Sequence, residues 1–181
     1  MNRWTGRGVR RGGAVSALVL AASVALLATL NAGRMPPALL AHTLGSPEAL
    51  AEAVMEAIAA GDLASLRALA LTEEEFRHDV WPELPVARPE RNVPFEFVWE
   101  MLEQNSTGHL RQTASVFGGQ ALDLVRVEFG GPATTYRDVT VHRNTQLVVR
   151  TPDGAEKVVR MFGSAIEKNG GWKVFSYVVS D

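Results

Sequence analysis

The stretch "AIEKNGGWKVFSY" (residues 165–177) contains the clearest structural signal in the chain. Strand-like runs lie on both sides of Asn169-Gly170. Asn-Gly tolerates positive φ, which hairpin turns require. The stretch therefore predicts a β-hairpin, with strands over residues 157–167 and 172–180.

Two more alternating runs precede this hairpin, at residues 121–129 and 136–150. They are separated by Gly130-Gly131-Pro132. Thr151-Pro152-Asp153-Gly154 follows the second run and predicts a further turn, because Asp-Gly tolerates the positive φ that such turns require. Four strands joined in this way predict an antiparallel sheet in the last third of the chain.

Helical signals precede the sheet. Ser46 followed by proline and glutamate reads as a capped helix start, an apolar stripe follows at helical spacing, and Gly61 marks its end. Asp62 caps a second short helix, and residues 72–75 match a capping box for a third helix that Pro82 stops. The acidic run in that box favours a solvated first turn over a cation site.

Residues 82–94 contain four prolines and predict an extended loop, after which Phe95 begins a fourth helix. We expect this helix to break around residues 105–108 and to resume over residues 109–117. Helices followed by an antiparallel sheet define an α+β domain over residues 46–181.

The N-terminal region predicts a membrane segment. Residues 14–32 contain no charge, and a helix of that length spans roughly 28 Å, close to the hydrocarbon thickness of a bilayer. Four arginines precede the run, so the positive-inside rule places residues 1–13 as a basic arm in the cytoplasm and exports the rest. A retained anchor is favoured over a signal peptide because no small-x-small cleavage site follows the run. Residues 33–45 then form a linker.

Charge and composition exclude several function classes. Five of the 18 Lys and Arg residues precede residue 35 and no acidic residue does, so residues 35–181 carry 13 basic and 20 acidic groups, a net charge of −7. A domain of this sign repels phosphate backbones, which argues against a nucleic-acid partner. The absence of cysteine excludes disulfides and thiolate chemistry. The four histidines show no metal-ligand spacing, so no metal and no cofactor is expected.

The helix ending in "AAGDLASL" (residues 59–66) and the final hairpin "AIEKNGGWKVFSY" resemble the nuclear transport factor two-like superfamily, which includes SnoaL-like and ketosteroid-isomerase-like domains. The resemblance implies a cystatin-like α+β cone, in which a curved sheet wraps a helix and leaves a pocket. It also implies a possible homodimer through the outer sheet face. The tyrosine and acidic residues of the family's enzymes do not map onto this sequence, so a binding or scaffolding member is favoured.

Candidate site residues lie on the strand predicted over residues 136–144. Strict alternation would place Tyr136, Asp138 and His142 on one face, with Asp138 orienting His142 as a general base in a polar pocket. The same alternation is typical of a solvated sheet face or of a protein interface.

Two functions follow from these features. The favoured one is a non-catalytic, single-pass protein of the bacterial inner membrane. Its exported periplasmic domain would be an interaction or structural subunit of a larger membrane complex. A bacterial source is also favoured by 15 arginines against three lysines. The alternative is a domain that binds or transforms a small apolar molecule in the cone pocket, with isomerase-like or hydrolase-like chemistry.

Overall fold

The computed structural model describes residues 40–179. The predicted basic arm, the predicted anchor over residues 14–32 and residues 33–39 of the predicted linker lie outside this part of the chain. Among the helices that are described, none combines the length and the apolar character needed to cross a bilayer.

The architecture is α+β, as the sequence predicts. Helices occupy the first half of the described chain and antiparallel strands the second. The helices are α1 (Pro47–Ala60), α2 (Leu63–Leu69), α3 (Glu73–Glu75), which continues into a π-helical turn (Phe76–Val80), and α4 (Phe95–Phe117). The strands are β1 (Asp123–Phe129), β2 (Thr134–Tyr136), β3 (Val139–Arg143), β4 (Thr145–Arg150), β5 (Glu156–Val159), β6 (Ser164–Lys168) and β7 (Gly171–Ser176).

The ends of the short helices follow the predicted capping chemistry. The Ser46 Oγ accepts a hydrogen bond from the Ala49 amide at 3.0 Å, and Gly61 closes α1 in the left-handed conformation at φ 67°. Asp62 caps α2 through two amides of its first turn. Thr72 and Glu75 form the reciprocal capping box of α3.

Two predictions about the middle of the chain are wrong. The fourth helix does not break at residues 105–108, because α4 runs without interruption to Phe117. Leu110 and Thr113 are buried beyond the expected break, so packing outweighs the weak helix propensity of residues 105–108. The proline-rich segment is also not extended. It forms three short 3₁₀ turns, and each has proline at its first or second position.

The strands form two antiparallel sheets, in the orders β1-β4-β5 and β2-β3-β6-β7. Two of the predicted strands are each divided between the two sheets. Asn144, at φ 55°, separates β3 from β4, and residues 160–163 separate β5 from β6. At this second bend, Gly163 donates to the Ser176 carbonyl at 2.9 Å and accepts from the Thr145 amide at 3.0 Å. The long hairpin over residues 139–168 therefore passes from one sheet into the other.

Apolar side chains pack on both faces of the β3-β6-β7 sheet. One cluster joins α1 to β4, β6 and β7 through residues such as Val54, Leu147 and Val174. The other joins Phe76 and Phe95 to the opposite face at Val141 and Ile166. The β6-β7 hairpin thus lies in the middle of the domain, covered on both sides.

The entry segment, residues 40–45, belongs to the folded domain although the sequence assigns it to the linker. Leu40 is buried at 4% exposure, and the Ala41 amide donates to Glu75 Oε1 at 2.7 Å. Leu44 and Trp172 exchange two backbone hydrogen bonds, of 3.0 and 2.8 Å, at the edge of β7. These contacts attach the segment to both the helical and the sheet parts.

Candidate functional site

The three predicted site residues do not lie on one face. Tyr136 ends β2 and is directly opposite Val139 of β3, and the chain reverses between them at Arg137, which has φ 47°. Partners across a hairpin point to the same side, so Tyr136 shares the buried face of Val139. The prediction of one alternating strand over residues 136–144 is wrong at this turn.

His142 lies on the opposite face, in a cluster of three rings with Phe129 and Trp172. Its imidazole centroid is 4.8 Å from that of Phe129 and 4.7 Å from that of Trp172. Burial lowers the pKa of His142, and the nearby charge of Glu167 only partly offsets this effect. The lowered pKa favours the neutral imidazole, which packs as part of an aromatic cluster.

Asp138 lies in the turn between β2 and β3, where it is partly exposed. Its carboxylate is 3.8 Å from Lys168 Nζ, which is itself 3.0 Å from Asp79 Oδ1. Among the hydrogen bonds of residues 40–179, none joins Asp138 to His142. The structure therefore does not bring together the Asp–His pair that a general base would need.

Asp79 and Lys168 form one of two buried ion pairs between α3 with its π-helical turn and the β6-β7 hairpin. The other joins Glu75 to Lys173, whose Nζ is 2.8 and 3.0 Å from the two carboxylate oxygens. The side chain of Lys173 is 1% exposed and that of Glu75 is 10% exposed. Glu75 is thus not part of a solvated first turn, although Glu73 and Glu74 are exposed as predicted.

Glu75 also holds backbone groups. Its carboxylate accepts hydrogen bonds from the Ala41 amide at 2.7 Å and the Thr72 amide at 2.9 Å. Burial acts to raise the pKa of Glu75, but the hydrogen bond from Lys173 and those from the two amides outweigh it and hold the pKa below its usual value. Every oxygen lone pair is directed to a structural donor, which indicates a scaffold role for this charge.

A cavity of about 310 Å³ opens between α2 and α4. Two polar groups at its wall are engaged in the fold: the Tyr177 hydroxyl donates to the Leu66 carbonyl at 2.7 Å, and the Ser106 Oγ accepts from the Tyr177 amide at 3.0 Å. Burial raises the pKa of the Tyr177 phenol. Much of the remaining wall is apolar, from Leu71, Trp99, Leu102, Leu110 and Phe175, and the charged side chains of Arg67, Glu73 and Glu103 also line the cavity.

A wider cavity of about 790 Å³ lies between the proline-rich segment and the β2-β3-β6-β7 sheet. Tyr136 is the one predicted site residue that lines it. Its other walls include Leu84, Val141 and Phe175, which are apolar, so the phenol has no acidic or basic neighbour among the lining residues except Arg143. This arrangement suits binding of apolar surface rather than acid–base chemistry.

The aromatic residues near α4 divide into core and surface. Phe76 lies 5.8 Å from Phe95 and 5.5 Å from Trp99, and Trp81 packs edge-on against Phe95 at 5.6 Å. These rings pack together in one hydrophobic cluster and do not form an open cage. Phe97 points away from them and is 59% exposed. Within the described chain, no three His, Asp or Glu side chains are grouped as metal ligands would be.

No protein-family model matches this chain, and no curated protein or solved structure matches it either. The class of protein is therefore defined by the fold itself, which is an α+β domain with helices followed by two antiparallel sheets.

Sequence reasoning did not identify the two buried lysines. Lys168 and Lys173 flank an Asn-Gly turn, where lysine is ordinarily solvated. One signal was present: Glu75 and Asp79 are spaced four residues apart, so on a helix they share a face and can meet two cations of one hairpin. The pairing itself depends on contacts between residues almost 100 positions apart in the sequence, 98 in the case of Lys173 and Glu75.

Proposed function

We propose that this chain is a single-pass protein of the bacterial inner membrane whose exported domain is a non-catalytic interaction or structural subunit of a larger membrane complex. The uncharged run over residues 14–32 and the four arginines before it support the anchor and its orientation. In the fold, Asp138 lies beside Lys168 and His142 packs against Trp172. The two residues therefore give little support to the acid–base chemistry that the sequence suggested.

The attachment of the entry segment is the observation that carries this proposal. Leu40 is buried, Ala41 is bonded to Glu75, and Leu44 pairs with Trp172. Leu40 is therefore already part of the folded domain, and only residues 33–39 lie between it and the end of the uncharged run. A connection of that length reaches at most about 25 Å, and Pro36-Pro37 stiffens it. Such a domain would be held near the bilayer surface, where it can brace a neighbouring membrane protein.

The proposal is tested by membrane fractionation of the full chain. We expect the native protein to stay in the membrane pellet after a carbonate wash. Leu20→Asp with Val24→Asp places two like charges in the run, and each costs about 3 kcal/mol at a helix centre, so this variant should leave the pellet. Leu20→Ile with Val24→Leu is the matched control and should remain.

The intact mass of the pelleted protein then distinguishes an anchor from a signal peptide. Recovery of other membrane polypeptides with the mild-detergent extract supports a complex. A mature chain that begins beyond residue 34 and is free in the periplasmic fraction would contradict the proposal, and so would a protein extracted alone.

A second candidate function is binding of a small apolar molecule, favoured by the cavity of about 310 Å³ between α2 and α4. Its volume is at the lower end of the range for ligand pockets, and its walls are largely apolar. The resemblance to the nuclear transport factor two-like superfamily supports the same candidate.

Titration with anilinonaphthalene sulfonate tests this candidate, since energy transfer from Trp99 in the wall reports occupancy. Thr107→Phe places a ring in the cavity and should weaken binding at least about tenfold, because an occupied volume excludes the probe. Val116→Phe, at an exposed position of α4 that does not line the cavity, is the matched control. Equal binding by both variants would remove the cavity as the site.

A further inference from the structure

The solvent side of α4 has an unusual composition. At 100° per residue, the exposed side chains that lie about 180–260° around α4 from the buried Phe95 carry no charge over about five turns, and the charged Arg111 lies just beside this sector. We call this set the outer stripe of α4. It consists of Phe97, Met101, Gln104, Gly108, Gln112 and Ser115.

Two members of the outer stripe are large apolar residues. Phe97 is 59% exposed and Met101 is 46% exposed, and their spacing of four residues places them one above the other. A helix face directed to water ordinarily carries charged residues. The composition of the outer stripe is more typical of a surface that is covered by another helix.

Gly108 adds an independent observation. It lies in the interior of α4, where glycine weakens a helix relative to alanine. A Cβ at this position would meet no atom within 4 Å, so the fold of a single chain does not require the glycine. An outside surface that approaches the helix backbone closely would require it.

The charges beside the outer stripe indicate which partner covers it. Glu100 and Arg111 are exposed on the same flank, and neither forms an ion pair with any residue in the described chain. They lie at equal distances on either side of the midpoint between Asn105 and Ser106. A two-fold axis at that midpoint would bring Glu100 of one copy to Arg111 of the other, twice.

We propose that the outer stripe of α4 packs antiparallel against the outer stripe of a second copy of this chain, with Gly108 near the crossing point and two Glu100–Arg111 pairs between the copies. This inference goes beyond the proposed function and does not depend on the anchor. The outer face of the β1-β4-β5 sheet is a weaker candidate for self-association, because its charges are already paired within the chain, as Arg126–Glu128 and Arg150–Glu156.

The chain has no cysteine, so single-cysteine variants of the full protein in mild detergent give an unambiguous cross-linking test. With a short bis-maleimide, Gln104→Cys should cross-link to itself because it lies near the axis. Val158→Cys, on the outer sheet face and 57% exposed, is the matched control and should not.

The relative direction of the two α4 helices is tested by mixing Glu100→Cys with Arg111→Cys. Antiparallel packing predicts cross-linked dimers in the mixture and almost none in either variant alone. Self-cross-linking of Glu100→Cys would show parallel packing and overturn the proposal. Cross-linking at Val158→Cys but not at Gln104→Cys would do the same, and so would a chain that is monomeric throughout.

Charge exchange supplies a control for folding. Glu100→Arg alone converts two attractive contacts of the dimer into two repulsive ones and should weaken dimerisation about tenfold. Arg111→Glu alone should do the same, and the double variant should return to within about twofold of the native protein.

Gly108→Ala should raise the melting temperature of the monomer by about 3 °C and yet weaken the dimer at least about fivefold. A double variant as weak as the single ones, or Gly108→Ala with an unweakened dimer, would reject this interface.

Discussion

Lys173 is one of three lysines in the chain, and its ammonium group is enclosed beside Glu75 at the centre of the domain. Removing one member of a buried ion pair leaves the other charge without a partner. Lys173→Met should therefore lower the free energy of unfolding by about 3–5 kcal/mol, measured by urea denaturation followed by circular dichroism. Adding Glu75→Gln should recover part of this loss because the unpaired charge is removed.

Lys157→Met is the matched control, because Lys157 is exposed on β5. We expect a change within about 0.5 kcal/mol for this variant. If Lys173→Met and Lys157→Met had equal effects, the Glu75–Lys173 pair would not be a buried contact in solution.

His142 leads to a pH prediction whose sign follows from its lowered pKa. The unfolded imidazole titrates near 6.5, so below that pH the unfolded state binds more protons than the folded state. The contribution of neutral His142 to the free energy of unfolding is therefore fully present above pH 6.5. It decreases as the pH falls toward the pKa of His142 in the folded state. His142→Phe keeps a ring between Phe129 and Trp172 and should remove this decrease.

The measurement compares the free energies of unfolding of the native protein and of His142→Phe at about pH 7.5 and about pH 5. The upper pH reports any change in ring packing alone. Glu75 does not confuse the comparison, because its lowered pKa places its own loss of stability below 4.5. A native protein that is equally stable at both pH values would show that His142 is solvated.

At the scale of elements, local chemistry explains what the sequence predicts correctly. The caps at Ser46 and Thr72 depend on neighbours within three residues, and the Asn169-Gly170 turn depends on its own φ values of 53° and 79°. These signals are complete in a short window of sequence, so the helix starts and the last hairpin could be placed.

Elements that depend on distant contacts could not be predicted in this way. The continuity of α4 through Gly108 depends on the burial of Leu110 and Thr113 against other elements. The turn at Arg137, which moves Tyr136 to the other face, has no glycine or proline to mark it. The prediction that the candidate site residues share one face was wrong for this reason, since one unmarked turn changes which side chains lie on the same face.

The bend between β5 and β6 provides a prediction at this scale. Gly163 lies where the two sheets meet, and a Cβ there would collide with the carbonyl oxygen of Val178. Gly163→Ala should therefore force the backbone apart and lower the free energy of unfolding by several kcal/mol. Urea denaturation measures the effect.

Gly45→Ala is the matched control, because a Cβ on Gly45 would meet nothing within 4 Å and its φ is not positive. We expect this variant to be as stable as the native protein or slightly more stable. Similar stabilities for the two variants would mean that the Gly163 bend is more open than the structure has it.

At the scale of the whole molecule, charge is distributed very unevenly. The first 34 residues hold five arginines and no acid, whereas residues 35–181 carry a net charge of −7. In the proposed topology this distribution keeps the basic arm in the cytoplasm and favours export of the acidic domain.

The topology can be tested with a single cysteine on the domain. Ala133→Cys lies in the exposed loop between β1 and β2, and the native chain has no other thiol. We expect a membrane-impermeant maleimide to label this variant in intact spheroplasts, because the proposed topology places the domain outside the membrane. Replacing the four arginines before the run, Arg3, Arg7, Arg10 and Arg11, by glutamate removes the positive charge that holds the N-terminus inside. Labelling should then fall sharply until the membrane is permeabilised.

Replacing the same four arginines by lysine preserves the charge and should leave labelling unchanged. Equal labelling of the glutamate and lysine variants would contradict an orientation set by these residues, and a labelled protein released from the spheroplasts would contradict the anchor itself.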